Sequence, residues 1–474
     1  MNKRLVLLFC ALFVFAAAMP AFASVQNIKV SGDLVGRYIA RTDFDLSKDS
    51  AGSDDKIRVF NTVMRLRVDA DLTDNVGAVV RLINERDWDE ATVSSTDIDL
   101  DLAYATFKEF FYDSLTVTAG RQELHFGNDM IIGDGVGRPV AGAVSGAIGT
   151  NQTTNYVEAT GYGDGTNNVN GDLAYRKAFD AIRATLNYDP LVIDFVYAKM
   201  RDNIITKGAT NDDLDLWGVD GTYQFSDKWD TMVEGYVWTK VDKGQNTTGA
   251  KGKTDSAYTY GARVSTNPTD KVNIQQEIAF QTGEKYIAAA SSRDRKAMAT
   301  QTCAMYTPGW KYEPVLGLVY SYFSGDALRG GTDADKDYHA WDPMFENQTS
   351  GSIINALFPQ SNCHNIDVSA RFTPIEDLTV KGEYIYLMLA KASSVSGQML
   401  MNDYEPTSGY QFQADKKDLA QELDITLVYD YTEDVQLGLL AGWLWPGKAI
   451  AKTRGGVKQR MTASEAIATV KVAF

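Results

Sequence analysis

Charged side chains recur at every second position of otherwise apolar segments. In the segment RLRVDAD, Arg65, Arg67 and Asp69 alternate with Leu66 and Val68. Successive side chains of a β-strand point to opposite faces, so this spacing places the charges on one face and the apolar groups on the other. Rows of charged side chains along a water-filled passage select solutes through their field and by replacing hydration contacts. The pattern therefore predicts electrostatic selection of solutes.

A second segment, DIDLDLAYATF, shows the same alternation. Strict alternation predicts Asp97, Asp99 and Asp101 on one face and Leu100 and Leu102 on the other. A soluble β-sandwich also alternates, but it buries its apolar faces between two sheets. A charged face that is repeated along most of the chain favours a water-filled lumen inside a barrel.

Sequence motifs for catalysis or metal binding are missing from the chain. The three histidines are His125, His339 and His364, and they form no H-E-x-x-H motif. No C-x-x-C-H motif and no recognisable serine hydrolase set is visible either. We therefore predict that the protein is not an enzyme and has no cofactor and no metal site.

The composition excludes one class of partner and favours one kind of structure. The formal net charge is −16, whereas proteins that bind nucleic acid need an excess of lysine and arginine on one face. We predict no nucleic-acid partner. The chain contains 24 Tyr, 20 Phe, 8 Trp and 39 Gly. Such a composition is typical of β structure with aromatic belts at a membrane interface.

The first residues have the layout of a secretory signal peptide. Lys3 and Arg4 precede an apolar run, which ends in the small-x-small sequence Ala21-Phe22-Ala23. We predict cleavage after Ala23, a signal peptide over residues 1–23 and one barrel domain over residues 24–474.

Short polar reversals alternate with longer polar segments along the chain. The short reversals are Thr73–Asn75, Tyr112–Ser114, Tyr188–Pro190, Phe225–Asp230, Asn267–Asp270, Thr307–Pro314, Thr373–Asp377 and Tyr431–Asp434. The longer segments are 43–56, 88–96, 125–176, 202–212, 241–254, 282–294, 325–361, 391–417 and 446–460. Short periplasmic turns and long extracellular loops are typical of outer-membrane barrels. We predict an all-β fold, a single transmembrane antiparallel barrel of about 18 strands in the outer membrane.

Two features near the strand ends extend this prediction. The last predicted strand ends in Phe474, an aromatic end of the kind that outer-membrane barrels present to their insertion machinery. Cys303 and Cys363 are expected near opposite rims, too far apart for a disulfide, which needs Cα atoms within about 7 Å. We therefore predict two free thiols.

Alternation also assigns candidate residues to the lumen, where they would set selectivity. These are Arg65, Arg67, Arg81, Asp99, Asp101, Arg121, Arg183, Glu234, Arg263, Glu277, Arg371, Lys381, Glu383, Glu422 and Asp424. Strict alternation points Arg121 at lipid, and its place in the set requires a bulge at Gly120. The alternative is that Arg121 lies high enough on the wall to sit in the polar headgroup zone. Segments 125–176 and 325–361 are long enough to fold into the lumen as a constriction, with an extracellular flap as the alternative.

Four segments together resemble the alginate-export family of outer-membrane channels. They are TAGRQELHFGNDMIIGD at 118–134, FDAIRATLNY at 179–188, VYSYFSGD at 319–326 with WDPMF at 341–345, and YDYTEDVQLGLLAGWLWPG at 429–447. The resemblance implies an 18-stranded monomeric barrel. A conduit for a polyuronate needs a cationic lumen, whereas the lumenal charges predicted here are mixed.

The sequence therefore predicts a porin for passive diffusion of small polar or charged solutes. The alternatives are an exporter of an anionic, alginate-like polysaccharide and a structural barrel around a partner protein. Expected partners are outer-membrane lipid and lipopolysaccharide, small polar solutes or ions, and the barrel-insertion machinery through Phe474. A monomer is favoured over a trimer.

Overall fold

A computed structural model describes most of the chain, and its description excludes the first 25 residues and parts of the long connections. The described residues are 26–44, 46, 48, 56–88, 98–135, 171–201, 213–243, 254–288, 291–326, 337–348, 350–358, 360–392, 412–454, 457–458 and 460–474.

Eighteen long strands within this part of the chain form the barrel. They are β1 (Asn27–Thr42), β2 (Ile57–Thr73), β3 (Val76–Asp87), β4 (Asp99–Phe107), β5 (Leu115–Gln122), β6 (Phe179–Asn187), β7 (Leu191–Arg201), β8 (Leu214–Gln224), β9 (Met232–Asp242), β10 (Asp255–Thr269), β11 (Val272–Ala288), β12 (Ser291–Tyr306), β13 (Val315–Phe323), β14 (Cys363–Ile375), β15 (Leu378–Leu389), β16 (Asp418–Asp430), β17 (Val435–Pro446) and β18 (Ala463–Ala473).

Each long strand pairs antiparallel with its neighbours in sequence, and β18 pairs with β1 to close the sheet. The two-residue strand Asp337–Tyr338 adds a short parallel pairing beside β12. Thr453–Arg454 and Val457–Lys458 form a separate small hairpin. The predicted all-β barrel of about 18 strands is confirmed.

The two faces of the sheet differ as the alternation predicts. Leu34, Met64, Val80 and Ile182 are exposed on the outward face of the barrel. Inward positions such as Arg65 and its partner Ile83 are shielded in the lumen. Closing the sheet leaves no strand edge exposed along the barrel wall.

The connections are short at one rim of the barrel, and at the other rim they are long except between β11 and β12. Each of the eight predicted reversals contains residues of a short turn between consecutive strands, although Thr73–Asn75, Asn267–Asp270 and Thr373–Asp377 begin inside the preceding strand. The prediction of a long loop at 282–294 is wrong, because β11 and β12 continue to Ala288 and Ser291 with residues 282–286 paired to 292–296. The polar composition of this segment reflects inward charges that find partners: Lys285 and Arg295 both bind Asp255.

A β-bulge corrects the predicted faces of β4. Arg81 pairs with Leu102 and Leu82 pairs with Leu100, so Asp101 is an extra residue in the strand. A bulge of this kind shifts the alternation by one residue. Leu102 therefore lies buried on the inward side together with Asp101, and not on the outward side as predicted.

Parts of two long connections lie inside the barrel. Residues 124–132 include the buried Leu124, Met130 and Ile132, and the short helix α1 (Ser352–Leu357) buries Ile353 and Leu357. A 3₁₀ turn, Gly171–Leu173, precedes β6.

In the described ranges, no helix is long and apolar enough to span a membrane. Cys303 and Cys363 are free thiols, as predicted.

Candidate functional site: the barrel lumen

A group of arginines lines the lumen on β1, β2 and β3. We call this group, Arg37, Arg41, Arg65, Arg67 and Arg81, the cationic arc. Alternation along three adjacent strands brings these residues to the inward face, where β1 pairs with β2 and β2 with β3. Each guanidinium carries a permanent charge and a planar set of donors that suits carboxylates.

Arg41 is the most buried member of the cationic arc, with only 1% of its surface exposed. Its Nε donates to Glu465 Oε1 at 2.6 Å, and Nη1 and Nη2 donate to the two carboxylate oxygens of Asp172 at 2.9 and 2.6 Å. A bidentate pair of this kind adds both energy and geometric specificity. Arg41 therefore joins β1, β18 and the Gly171–Leu173 turn.

Tyr175 lies between two other members of the arc. The Cζ atoms of Arg37 and Arg65 each lie 4.6 Å from the centre of its ring. Arg37 also donates to the carbonyl of Leu173 at 3.0 Å. These cation–π contacts are favourable, particularly where water is excluded. The segment 171–177 therefore covers Arg37, Arg41 and Arg65 of the cationic arc.

The remaining arginines of the arc bind carboxylates close to them. Arg65 donates to Asp33 at 2.9 Å, and Arg67 donates to Asp69. Arg81 binds both Asp101 and Glu123.

Asp99 on β4, which was also predicted to face the lumen, forms an ion pair with a residue of a connecting segment. Asp99 accepts a hydrogen bond at 2.9 Å from Arg176. Arg176 follows Tyr175 in the segment that covers the arc. The predicted residues Arg65, Arg67, Arg81, Asp99 and Asp101 thus lie on the inward face and are joined in ion pairs.

Three further predicted residues form pairs in the middle of the chain. Arg183 binds Asp194 through Nε at 2.7 Å and Nη2 at 2.8 Å. Arg263 donates to Glu234 at 2.7 Å.

Glu277 is held differently from these paired carboxylates. The Tyr236 hydroxyl donates to it at 2.6 Å. Its other carboxylate oxygen meets no protein donor in the described ranges.

A second group, which we call the acidic arc, consists of Asp367, Glu383, Glu422 and Asp424 on β14, β15 and β16. Lys381 donates to Glu383 at 2.7 Å. Glu422 and Asp424 accept hydrogen bonds from the first backbone N–H groups of α1, with Ile353 N to Glu422 at 2.7 Å and Ser352 N to Asp424 at 2.8 Å.

These contacts give two residues of the acidic arc a structural role. The first N–H groups of a helix have no partner within it, so the two carboxylates anchor α1 to the wall. Arg371 lies exposed on the inward row toward the short-turn rim, opposite Lys381.

The structure does not place Arg121 in the lumen. Gly120 has a φ of 124°, but the register continues without a shift, and Arg121 pairs with Ala103 and Asp180 on the outward row. Its Nη1 lies 3.3 Å from Asp180. The bulge required for a lumenal Arg121 is not formed, so this part of the prediction is wrong.

The two inner segments pack against each other across the lumen. The backbone N–H groups of Gly133 and Asp134 donate to the carbonyl of Phe345 at 2.8 and 2.9 Å, and Phe345 N donates to Ile131. The rings of Phe126 and Trp238 are 4.8 Å apart. Described parts of segments 125–176 and 325–361 therefore narrow the barrel interior.

Asp342 fixes the second inner segment to the wall. Lys240 donates to its side chain at 2.5 Å, and Gln281 Nε2 donates to its carbonyl at 2.7 Å. Burial opposes ionisation of Asp342, but Lys240 and Arg295 outweigh that effect and hold its pKa well below the usual range.

Among the described side chains, no group of three His, Cys, Asp or Glu is placed to hold a metal ion.

Several residues of the lumen were missed by the sequence reasoning. Arg37 and Arg41 alternate in GRYIAR, and extending the same pattern through β1 would have found them. Asp172, Tyr175 and Asp342 lie in connecting segments, where no period indicates a face.

Comparison with solved structures shows barrels of the same fold. Pseudomonas aeruginosa OccK3 (OpdO) matches with a TM-score of 0.55 at 9% identity, covering 95% of this chain and 96% of that chain. The outer membrane protein opdK from Pseudomonas aeruginosa matches with a TM-score of 0.52 at 9% identity, covering 95% and 99%. Acinetobacter baumannii OccAB4 matches with a TM-score of 0.50 at 11% identity, covering 96% and 99%.

Sequence comparison gives a family. We find no significant match to a functionally curated protein. The family model described as alginate export matches residues 170–464, which is more than half of the chain. Together with the barrel architecture, this match shows that the chain belongs to the alginate export family.

Proposed function

We propose that the protein is a passive channel of the outer membrane for small polar or charged solutes. One observation carries the proposal: a closed 18-strand barrel has an apolar outward face and a charged inward face. An apolar band suits contact with lipid, and a charged interior suits contact with water. The similar solved barrel opdK is described as an outer membrane protein.

The orientation and partners follow from the proposed location. The short-turn rim faces the periplasm and the long-loop rim faces the outside, in contact with lipopolysaccharide. Phe474 is 60% exposed, and its backbone exchanges two hydrogen bonds with Gly32, so its ring is available to the insertion machinery. Export by a signal peptide cleaved after Ala23, leaving the barrel domain 24–474, completes this proposal; the cleavage site is outside the described residues.

The inner segments make the proposed channel a constricted one. Phe126, Trp341 and Phe345 are buried inside the barrel, where they exclude water from part of the cross-section. A solute must pass the remaining space between this inner wall and the charged strands. Binding, orientation and exclusion of solutes are the tasks of this lumen, and we propose no catalytic role for it.

Export of an anionic polysaccharide is the second candidate, and membership of the alginate export family favours it. Such a polymer needs a continuous track of cations that are free to bind its carboxylates. Arg41, Arg65, Arg67 and Arg81 already bind carboxylates of the protein itself. The small-solute channel therefore fits the lumen better.

Single-channel recording of the purified protein in a planar bilayer tests the proposal. We expect steady conductance, with weak or cation-leaning selectivity from reversal potentials under a salt gradient. Strong anion selectivity would favour the polysaccharide candidate. A folded, inserted protein that carries no current would overturn the channel proposal and favour a barrel that surrounds a partner protein. The mass of the detergent complex distinguishes the expected monomer from a trimer.

A further inference from the structure

The first inner segment crosses the lumen close to one side of the wall. At Gly127, where φ is 58°, a Cβ atom would lie 3.1 Å from Glu234 Oε1 and 3.1 Å from Arg263 Nε. The flanking Phe126 packs its ring against that of Trp238 on β9. One side of the segment is therefore fixed to the wall, and side chains on its other side border the space that is left for a solute.

Side-chain exposure separates the charges that border this space from those that are buried in the wall. Glu234 and Arg263 are only 3% and 7% exposed, so they offer little surface to a passing ion. Four charged or titratable groups on or beside the segment are more accessible, and we call them the passage charges. They are Glu123, His125, Asp129 and Lys177, with exposures of 34%, 48%, 21% and 29%. His125 is the most exposed of the four.

The passage charges meet where the two inner segments join. His125 Nδ1 lies 2.9 Å from Asp129 Oδ2, and Asn347 Nδ2 of the second inner segment lies 3.5 Å from the same Asp129 oxygen. Lys177 donates to the side-chain oxygen of Asn347. His125 is therefore placed among charged groups that come from three parts of the chain.

The net charge of this group depends on His125. The other three passage charges carry two negative charges and one positive charge, and their further ion-pair partners, Arg81 and Asp134, cancel each other. The passage therefore has one excess negative charge when His125 is neutral and none when His125 is protonated.

Protonation of His125 occurs in an accessible range of pH. A histidine titrates at about pH 6.5 in its ordinary state. The hydrogen bond to Asp129 raises the pKa of His125, with Glu123 acting in the same direction and Lys177 opposing it. The charge of the passage therefore changes near neutral pH.

We propose that His125 is a selectivity residue of the channel, whose charge makes the preference for cations weaken as pH falls. The contacts of Phe126 and Gly127 with the wall hold the segment in place in both protonation states. Protonation then alters the field that an ion crosses without opening or closing the passage. This inference rests on the proposed channel function and assigns part of its ion selectivity to one side chain.

Reversal potentials in a gradient of potassium chloride test the inference. They are recorded at intervals between about pH 9 and about pH 5.5, on both sides of the histidine pKa. We expect the potassium-to-chloride permeability ratio to fall about fivefold on acidification, the change that a unit charge about 4 Å from an ion produces in water.

Three variants separate the charge of His125 from its packing. His125→Gln should keep the high-pH ratio at every pH, and His125→Lys should keep the low-pH ratio. Asp129→Asn should move the midpoint of the transition to lower pH, because it removes the carboxylate that favours the protonated ring. Asparagine tolerates the positive φ of this position, which is 58°.

His339→Gln is the matched control, because the His339 ring lies 3.0 Å from the carbonyl of Lys296 on β12 and contacts no passage charge. It should retain the wild-type shift. A wild-type ratio that is the same at both ends of the pH range would overturn the inference, and so would a His125→Gln channel that keeps the full shift. Each of these results requires a measurable current, whereas failure of the proposed function is a silent protein.

Discussion

The cationic arc and the acidic arc occupy the same kind of position, yet they differ in how their charges are satisfied. Every guanidinium of the cationic arc binds a group of the protein, as Arg41 binds Asp172 and Glu465. In the acidic arc, Glu422 and Asp424 hold α1, while Asp367 has no ion-pair partner among the described residues. A position in the lumen therefore does not by itself identify a selectivity residue. It must also be known whether another group of the protein already binds the charge of that residue.

The largest expected effect tests whether the cationic arc is structural. Arg41→Ala leaves Asp172 and Glu465 buried without their cation, which should lower the free energy of unfolding by about 3–5 kcal/mol. Arg371→Ala changes an exposed arginine and should cost no more than about 0.5 kcal/mol. Urea unfolding in detergent measures both, and equal stability of the two variants would break the comparison.

The next effect concerns the structural half of the acidic arc. Glu422→Gln replaces one of the two side-chain oxygens that accept from the N–H groups of α1 with an NH₂ group, which opposes the N–H group that it faces, so a loss of about 1–3 kcal/mol is expected. Thermal unfolding measures this loss, and single-channel records should show more frequent conductance steps as α1 loosens. Glu433→Gln, in an exposed turn, is the control. Matching behaviour of the two variants would show that Glu422 does not anchor α1.

A smaller effect tests the cover over the cationic arc. Tyr175→Leu removes both cation–π contacts, to Arg37 and Arg65, and should cost about 1–2 kcal/mol in total. The freed guanidiniums should also shift the reversal potential toward anions. Tyr431→Leu changes an exposed tyrosine in a turn and should do neither. A Tyr175 variant with unaltered selectivity would mean that the arc stays closed to solutes without this ring.

The smallest effect is a pH dependence in the first inner segment. A hydrogen bond between His125 Nδ1 and Asp129 Oδ2, 2.9 Å long, raises the pKa of His125. The protonated pair stabilises the fold below the ordinary histidine pKa of about 6.5, and this contribution is lost as pH rises through the higher folded pKa. His125 is 48% exposed, so solvent keeps the effect small.

Melting temperatures of wild type and His125→Gln measured across neutral pH should converge as pH rises. A difference between them that does not change with pH would assign the contact to the uncharged histidine. Because this pair lies outside both arcs, the size of this difference measures how much an exposed ion pair contributes to the stability of the same protein.

The alternating pattern was sufficient to predict the barrel, its strand number and its short turns. It also predicted the inward face of residues such as Arg183 and Glu234, because side-chain direction in a strand depends only on parity. The pattern was wrong at Asp101–Leu102, where a bulge forms. At Arg121 the alternation was right, and the bulge that we assumed in order to bring this residue into the lumen does not form. Bulges depend on pairing with the neighbouring strand, which one segment of sequence does not contain.

The sequence did not predict which lumenal charges are paired. Arg41 and Glu465 are 424 residues apart, and Lys240 and Asp342 are 102 apart. Such pairs are created by closure of the barrel and by inward folding of connecting segments. Only the length of these segments indicated that they could fold inward, and length does not say which residue meets which strand.

The junction between β1 and β18 has a consequence for how the barrel forms. Inside the wall, Arg41 binds Glu465 across this junction, and outside it the ring of Phe474 fits against Gly32, where a Cβ atom would come within 2.6 Å of the ring. Contacts between segments so distant in sequence carry the greatest loop-closure entropy and form slowly. Until they form, the curled sheet has two unsatisfied edges that can recruit other chains. The small glycine and the buried ion pair thus stabilise the closed junction relative to the aggregation-prone open form.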